Sequence, residues 1–120
     1  MEQINKVELQ GCISQVRINT VNNSHTRVAN FTLCVEHAYT TRKGEAFVDT
    51  TWFNCVLWEQ RAGQLDSIVK GGMAHVEGRL RQRRYTATDG TERSVLEVVV
   101  SDYKSVGVRT AEDGKDELDF

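Results

Sequence analysis

The stretch M-A-H-V-E-G-R-L-R-Q-R-R-Y at 73–85 decides the architecture. Its small and apolar residues Ala74, Val76, Gly78 and Leu80 fall on one parity, while His75, Glu77, Arg79, Arg81, Arg83 and Tyr85 fall on the other. Successive side chains of a strand point to opposite faces, so a period of two marks a strand that packs a core on one side and carries charge on the other. Downstream, Asp89-Gly90 signals a hairpin, because its turn needs backbone conformations that Gly and Asp adopt readily. A last strand containing Leu96, Val98 and Val100 follows.

Upstream, the same alternation recurs. Val7, Leu9, Gly11 and Ile13 form one run, and Ala29, Phe31, Leu33 and Val35 a second. In F-V-D-T-T-W-F-N-C-V-L-W (47–58), one parity holds Phe47, Phe53, Cys55 and Leu57, and the other holds Trp52, Asn54, Val56 and Trp58. One stretch, E-Q-R-A-G-Q-L-D-S-I-V-K (59–70), has its apolar residues Ala62, Leu65, Ile68 and Val69 at helical spacing, with Gly71-Gly72 as a stop. The expected order is three strands, one helix and two strands. Gly11 and Gly78 lie inside strands, where a sheet can bend or coil sharply. These features predict an all-β fold with one helix, a five-stranded Greek-key OB-fold barrel.

The chain has 120 residues, 39% hydrophobic and 27% charged, which suits one modest core. It contains no Pro, so proline-rich linkers are excluded. No apolar run approaches the roughly 20 residues of a membrane span, and a cytoplasmic location is expected. Cys12, Cys34 and Cys55 are odd in number and widely spaced, which predicts packed, reduced thiols rather than a disulfide framework or a zinc site. Residues 107–120 carry Arg109 and Lys115 against Glu112, Asp113, Asp116, Glu117 and Asp119, a net of −3, leaving +1 on residues 1–106 of the formal −2. The expected organisation is a domain over 1–106 and a flexible acidic tail over 107–120, with an edge strand as the other reading of the tail.

Aromatic and basic side chains share the polar faces. Trp52 and Trp58 are six apart and point the same way, opposite the core parity. Arg79, Arg81, Arg83 and Tyr85 project together, with Arg84 close by. Such a surface suits single-stranded nucleic acid, whose bases stack on rings and whose phosphates need positive charge. The competing reading is a solvated strand whose arginines pair with cross-strand Glu. Tyr39 beside Arg42 and Lys43 marks the hairpin between strands 2 and 3, and Arg17 and Arg27 flank the first loop. There is no phosphate-binding loop, nucleophile elbow or H-E-x-x-H, and His25, His37 and His75 are dispersed. No enzyme activity, cofactor or metal is expected.

Together, N-K-V-E-L-Q-G (5–11), V-A-N-F-T-L (28–33), T-W-F-N-C-V-L-W (51–58), V-K-G-G (69–72), H-V-E-G-R-L-R (75–81), D-G-T-E-R (89–93) and L-E-V-V-V (96–100) resemble the bacterial single-stranded DNA-binding proteins of the replication type. The resemblance implies an OB fold, a homotetramer, and wrapping of single-stranded DNA without sequence preference during replication, recombination and repair. Its base-stacking positions fall on Tyr39, Trp52, Trp58 and Tyr85, the first and last replacing the usual tryptophan. Asp116, Glu117, Leu118, Asp119 and Phe120 resemble the acidic tip through which the family recruits replication and repair proteins, with Asp119 where the family has Pro. The segment after Gly11 also departs from the family, reading C-I-S-Q-V-R-I-N, and the linker is short. A second reading is an OB-fold replication-restart adaptor similar to primosomal replication protein B, acting mainly through protein docking.

Overall fold

The computed structural model describes residues 2–21, 26–59 and 64–108. Five strands, β1 (Val7–Thr20), β2 (Arg27–Thr40), β3 (Ala46–Trp58), β4 (Gly72–Thr86) and β5 (Glu92–Val108), close into a barrel in the order β1-β2-β3-β5-β4, with β4 pairing back onto β1. Neighbours are antiparallel except β3 and β5, which run parallel with Cys55 opposite Val98 and Val56 opposite Val99. This is the predicted five-stranded barrel. The expected helix is corrected: residues 60–63, Ala62 among them, lie outside the described residues, and the segment after them forms a single 3-10 turn, Gln64–Ser67. Its apolar pattern still does its work, because Leu65 and Ile68 are buried in the core while Val69 stays exposed.

The core follows the parity of the strands. Ile13, Ala29, Phe31, Leu33, Cys55, Leu57, Ala74, Val76, Val98 and Val100 fill the barrel together with Leu65 and Ile68. Tyr103 packs edge-on against Phe31 at 6.1 Å between centroids, and its hydroxyl donates to the Ser67 carbonyl at 3.3 Å, tying the 3-10 turn to β5.

At Gly11 and Gly78 the backbone of the neighbouring strand comes too close for a side chain. A Cβ on Gly11 would lie 2.2 Å from the Cys34 carbonyl oxygen, and one on Gly78 would lie 2.1 Å from that of Val99. The β4–β5 register slips beside Gly78, between Glu77 and Gly78.

The β2–β3 and β4–β5 hairpins run out past the barrel as two-stranded ribbons. Core parity then no longer means burial: Phe47 on β3 and Leu96 on β5 are 43% and 63% exposed, and Leu80, opposite the buried Val98, is 40% exposed. The β2–β3 connection is tighter than expected, since residues 37–40 belong to β2, and the turn is closed by Thr41 N donating to the Glu45 carbonyl at 2.9 Å. At the other turn Ala87 N donates to the Thr91 carbonyl at 2.8 Å, and Gly90 takes a φ of 87° that an L side chain rarely adopts. Asp89 accepts from the Thr91 amide at 3.0 Å and hydroxyl at 2.6 Å, which holds its carboxyl below the usual range. β5 continues to Val108, so residues 107 and 108 are strand, and residues 109–120 lie outside the described residues.

One ion-pair cluster fastens the end of the barrel beneath the 3-10 turn. Arg27 bonds both carboxylate oxygens of Glu59 and reaches Asp66 Oδ1 at 3.3 Å. The hydrogen bond from Arg27 holds the Glu59 carboxyl below its ordinary range. A carboxyl whose pKa is lowered by folding stabilises the fold above its unfolded value and loses that contribution as pH falls through the folded one. Wild type should therefore lose more stability than Glu59→Gln between about pH 6 and pH 3 in urea titrations. Gly78→Ala should cost about 1–3 kcal/mol in the same assay, because the Val99 backbone must move to admit a methyl group.

Candidate nucleic-acid interface

Even-numbered residues of β2 and β3 face outward. In register, Val28 opposes Trp58, Asn30 opposes Val56, Thr32 opposes Asn54, and Cys34 opposes Trp52. β1 adds Gln15 beside Thr32, Arg17 beside Asn30 and Asn19 beside Val28. Across from this sheet stands the outer face of the β4–β5 ribbon. A groove of about 630 Å³ lies between them, lined by amides, hydroxyls and the cations Arg17, Lys70 and Arg83, with Val95 and Glu97 on the ribbon side. Trp52 and Trp58 end the β3 row whose middle members, Asn54 and Val56, line the groove; they are 60% and 41% exposed.

The ribbon's outer face carries Arg81, Arg83 and Tyr85 opposite Glu97, Val95 and Arg93. Glu97 is only 4% exposed, and its carboxylate accepts from Arg81 through both Nε, at 3.0 Å, and Nη2; Arg83 Nε lies 3.3 Å from Oε1 and 3.4 Å from Oε2. A carboxylate so buried needs this pairing. The Arg83 guanidinium also sits 5.7 Å from the centre of the Tyr85 ring, which fixes both groups over one surface. The cross-strand Glu anticipated as the competing reading of this face is thus present, and Arg81 is committed to it. Among the described residues Arg42, Lys43, Arg79 and Arg84 make no ion pair. By alternation Arg79 shares the outer face of β4 and Arg84 the opposite one, where it lines a shallow hollow with Gln82, Glu92, Arg93 and Ser94.

Tyr39 is placed apart from the tryptophans. It opposes Phe47, on the other face of the β2–β3 ribbon, and the two rings stack 5.7 Å apart with His37 6.4 Å beyond. Arg42 and Lys43 occupy the adjoining turn. Phe47 is a ring that its core parity concealed; the signal lay in its position close to the turn, where the partner strand leaves the barrel. Gln15, Asn30, Thr32, Asn54 and Lys70 are likewise groove residues that alternation alone reads as solvated. Arg27, expected to flank a binding loop, is instead held by Glu59 and Asp66. The tip residues 116–120 lie outside the described residues.

On the outer face of β1 and β4, Glu8 stands directly opposite Glu77, and His75 Nε2 is 2.8 Å from Glu8 Oε2. Their ligating atoms all lie within 4.8 Å of one another, a convergence that three dispersed histidines in the sequence do not announce. Like charges directly opposed on neighbouring strands repel, and the hydrogen bond between His75 and Glu8 works against that cost.

Replacing Glu97 with Gln removes the charge that Arg81 and Arg83 share while keeping the shape. Glu97→Gln should lower stability by about 1.5–3 kcal/mol in urea denaturation, the range of hydrogen bonds to charged groups.

The model of the Single-strand binding protein family matches residues 4–106. Among curated proteins, the single-stranded DNA-binding protein of Neisseria meningitidis serogroup A is 31% identical over 90 residues, covering 72% of this chain and 51% of that protein. Single-stranded DNA-binding protein 2 of Listeria monocytogenes is 35% identical over 97 residues, covering 80% and 59%. The chain therefore spans about half the length of such relatives. Among solved structures, it superposes on a chain described as Plasmodium falciparum SSB in complex with ssDNA, with a TM-score of 0.73 at 25% identity over 88% of this chain and 97% of that one. A deletion variant of the single-stranded DNA-binding protein of Thermus aquaticus shares the fold, with a TM-score of 0.71 at 22% identity over 86% and 50%. With the family model covering well over half of its 120 residues, the chain belongs to the single-strand binding protein family.

Proposed function

We propose that this protein binds single-stranded DNA without marked sequence preference and without catalysis. The observation that carries the reading is the groove between a sheet whose β3 row bears two exposed tryptophans and an arginine-bearing ribbon. Exposed indoles offer stacking platforms to any base, and a basic track beside them offers counter-charge to phosphates. The names of the relatives and of the structural neighbour support the same ligand.

Within this reading Trp52, Trp58 and Tyr85 stack bases, and Tyr39 with Phe47 forms a further platform at the ribbon tip beside Arg42 and Lys43. Arg17, Lys70, Arg79 and Arg84 hold phosphates. Arg83 is shared between Glu97 and the ligand, and Arg81 acts chiefly by positioning the ribbon. The larger role is that of the family: a homotetramer in the cytoplasm that coats exposed strands in replication, recombination and repair, with Asp116, Glu117, Leu118, Asp119 and Phe120 recruiting partner proteins. A carboxylate-rich tip suits a basic pocket, with Leu118 and Phe120 as apolar anchors.

Titration with a long oligo-dT at low and high salt tests the reading. Tryptophan emission should be quenched, and affinity should fall as salt rises. Trp52→Ala and Tyr85→Ala should each weaken binding by about 1–3 kcal/mol while leaving the fold intact by circular dichroism. Absence of both quenching and binding at low salt would overturn the assignment and leave the docking adaptor in its place.

A further inference from the structure

The cysteines occupy two environments. Cys55 is 1% exposed in the core, and burial pushes its thiol up to about 12. So little thiolate near neutral pH makes it a poor nucleophile. Cys12 and Cys34 are only half-buried. The β1–β2 register sets them directly opposite, and alternation turns both outward, because their neighbours Ile13 and Leu33 fill the core. Directly opposed residues of antiparallel strands have Cα atoms about 4.5 or 5.5 Å apart. Both values fall inside the roughly 4.4–6.8 Å that a disulfide spans. The bulge between Ile13 and Gln15 gives β1 local slack beside the pair. The row continues sideways, with Met73 opposite Cys12 and Trp52 opposite Cys34.

We propose that Cys12 and Cys34 form a reversible dithiol–disulfide site that exchanges with small disulfides of the glutathione class. The thiolate of one cysteine attacks a sulfur of glutathione disulfide, making a mixed disulfide and expelling one glutathione thiolate. The second cysteine thiolate then attacks the protein sulfur of that mixed disulfide, forming the bond between Cys12 and Cys34 and expelling the second glutathione thiolate. Two protein thiols are oxidised by two electrons, one glutathione disulfide is reduced to two thiols, and these take up the two protons the cysteines lose. Excess glutathione reverses both steps. Formation of the bond needs nothing bound in the groove, and Trp52 beside it reports the state of the pair.

The full chain is equilibrated in glutathione buffers from fully reduced to fully oxidised, alkylated, and mapped by mass spectrometry intact and after digestion. Two of the three thiols should disappear together, linking the peptides that contain Cys12 and Cys34, while Cys55 remains a thiol. Trp52 emission should fall reversibly, since a neighbouring disulfide quenches an indole, and Trp52→Phe should abolish that change but not the crosslink. Cys12→Ser and Cys34→Ser should each prevent the paired loss, which Cys55→Ser should retain. The peptide map of the wild type decides the matter even where a serine variant fails to fold. Three thiols surviving the most oxidising buffer, a stable glutathione adduct on one cysteine, or a bond between two chains would overturn the assignment.

Discussion

Two points of backbone contact govern this barrel. At Gly11 and Gly78 a neighbouring strand passes so close that even a methyl group would sit on a carbonyl oxygen. A five-stranded sheet closes only if its strands coil strongly, and side chains on the inner surface limit that coiling. With hydrogen at these two positions, β1 can bend over β2 and β4 over β5, and the inner parity of every strand then converges on one core. The order of strands, the closure of β4 onto β1 and the outward splay of both ribbons all depend on that curvature.

Curvature also makes the groove. A flat sheet would present Trp52, Asn54, Val56 and Trp58 as an open wall, whereas the coiled one brings the β4–β5 ribbon across from them. The ribbon is then held by charge rather than by apolar packing. Glu97, nearly inaccessible, draws Arg81 and Arg83 to itself and thereby sets where the Tyr85 ring lies. The surface combines polar amides at its base, rings at its rim and cations that are only partly neutralised. For the function proposed above, such a composition would discriminate little among base sequences, because stacking and charge carry little sequence information.

Most of the fold was legible because alternation is a strict geometric rule: Ala74, Val76, Gly78 and Leu80 could share one face of a strand and nothing else. What alternation does not encode is where a strand leaves the barrel. Phe47 and Leu96 have core parity yet stand in water, and their distance from the closing strands explains it. The helical spacing of Leu65 and Ile68 was real as a burial pattern but is met by one 3-10 turn, since two side chains suffice to plug the barrel end. At the site, the tryptophans were found by parity, and the pairing of Arg81 with Glu97 was within reach. The turn takes three residues, 88–90, so that Ala87 faces Thr91, and counting outward from that pair sets the two opposite each other, whereas a two-residue turn at Asp89-Gly90 would have set Val98 there. Tyr39 was separable from the tryptophans by the same count, its odd number against their even ones. The groove itself was not legible, because its walls belong to strands far apart in sequence.

The parallel joint between β3 and β5 rests on two residue pairs, far fewer than any antiparallel seam in the barrel. Opening it would uncurl the barrel into an arched sheet without undoing a single hairpin, which makes it the natural first place for amide exchange and for local breathing. Asn54 and Val56 on one side of that joint, and Val95 and Glu97 on the other, line the same groove. Whatever lies in the groove therefore bridges the weakest seam like a rivet across a crack, so that occupancy and the mechanical integrity of the barrel rise and fall together.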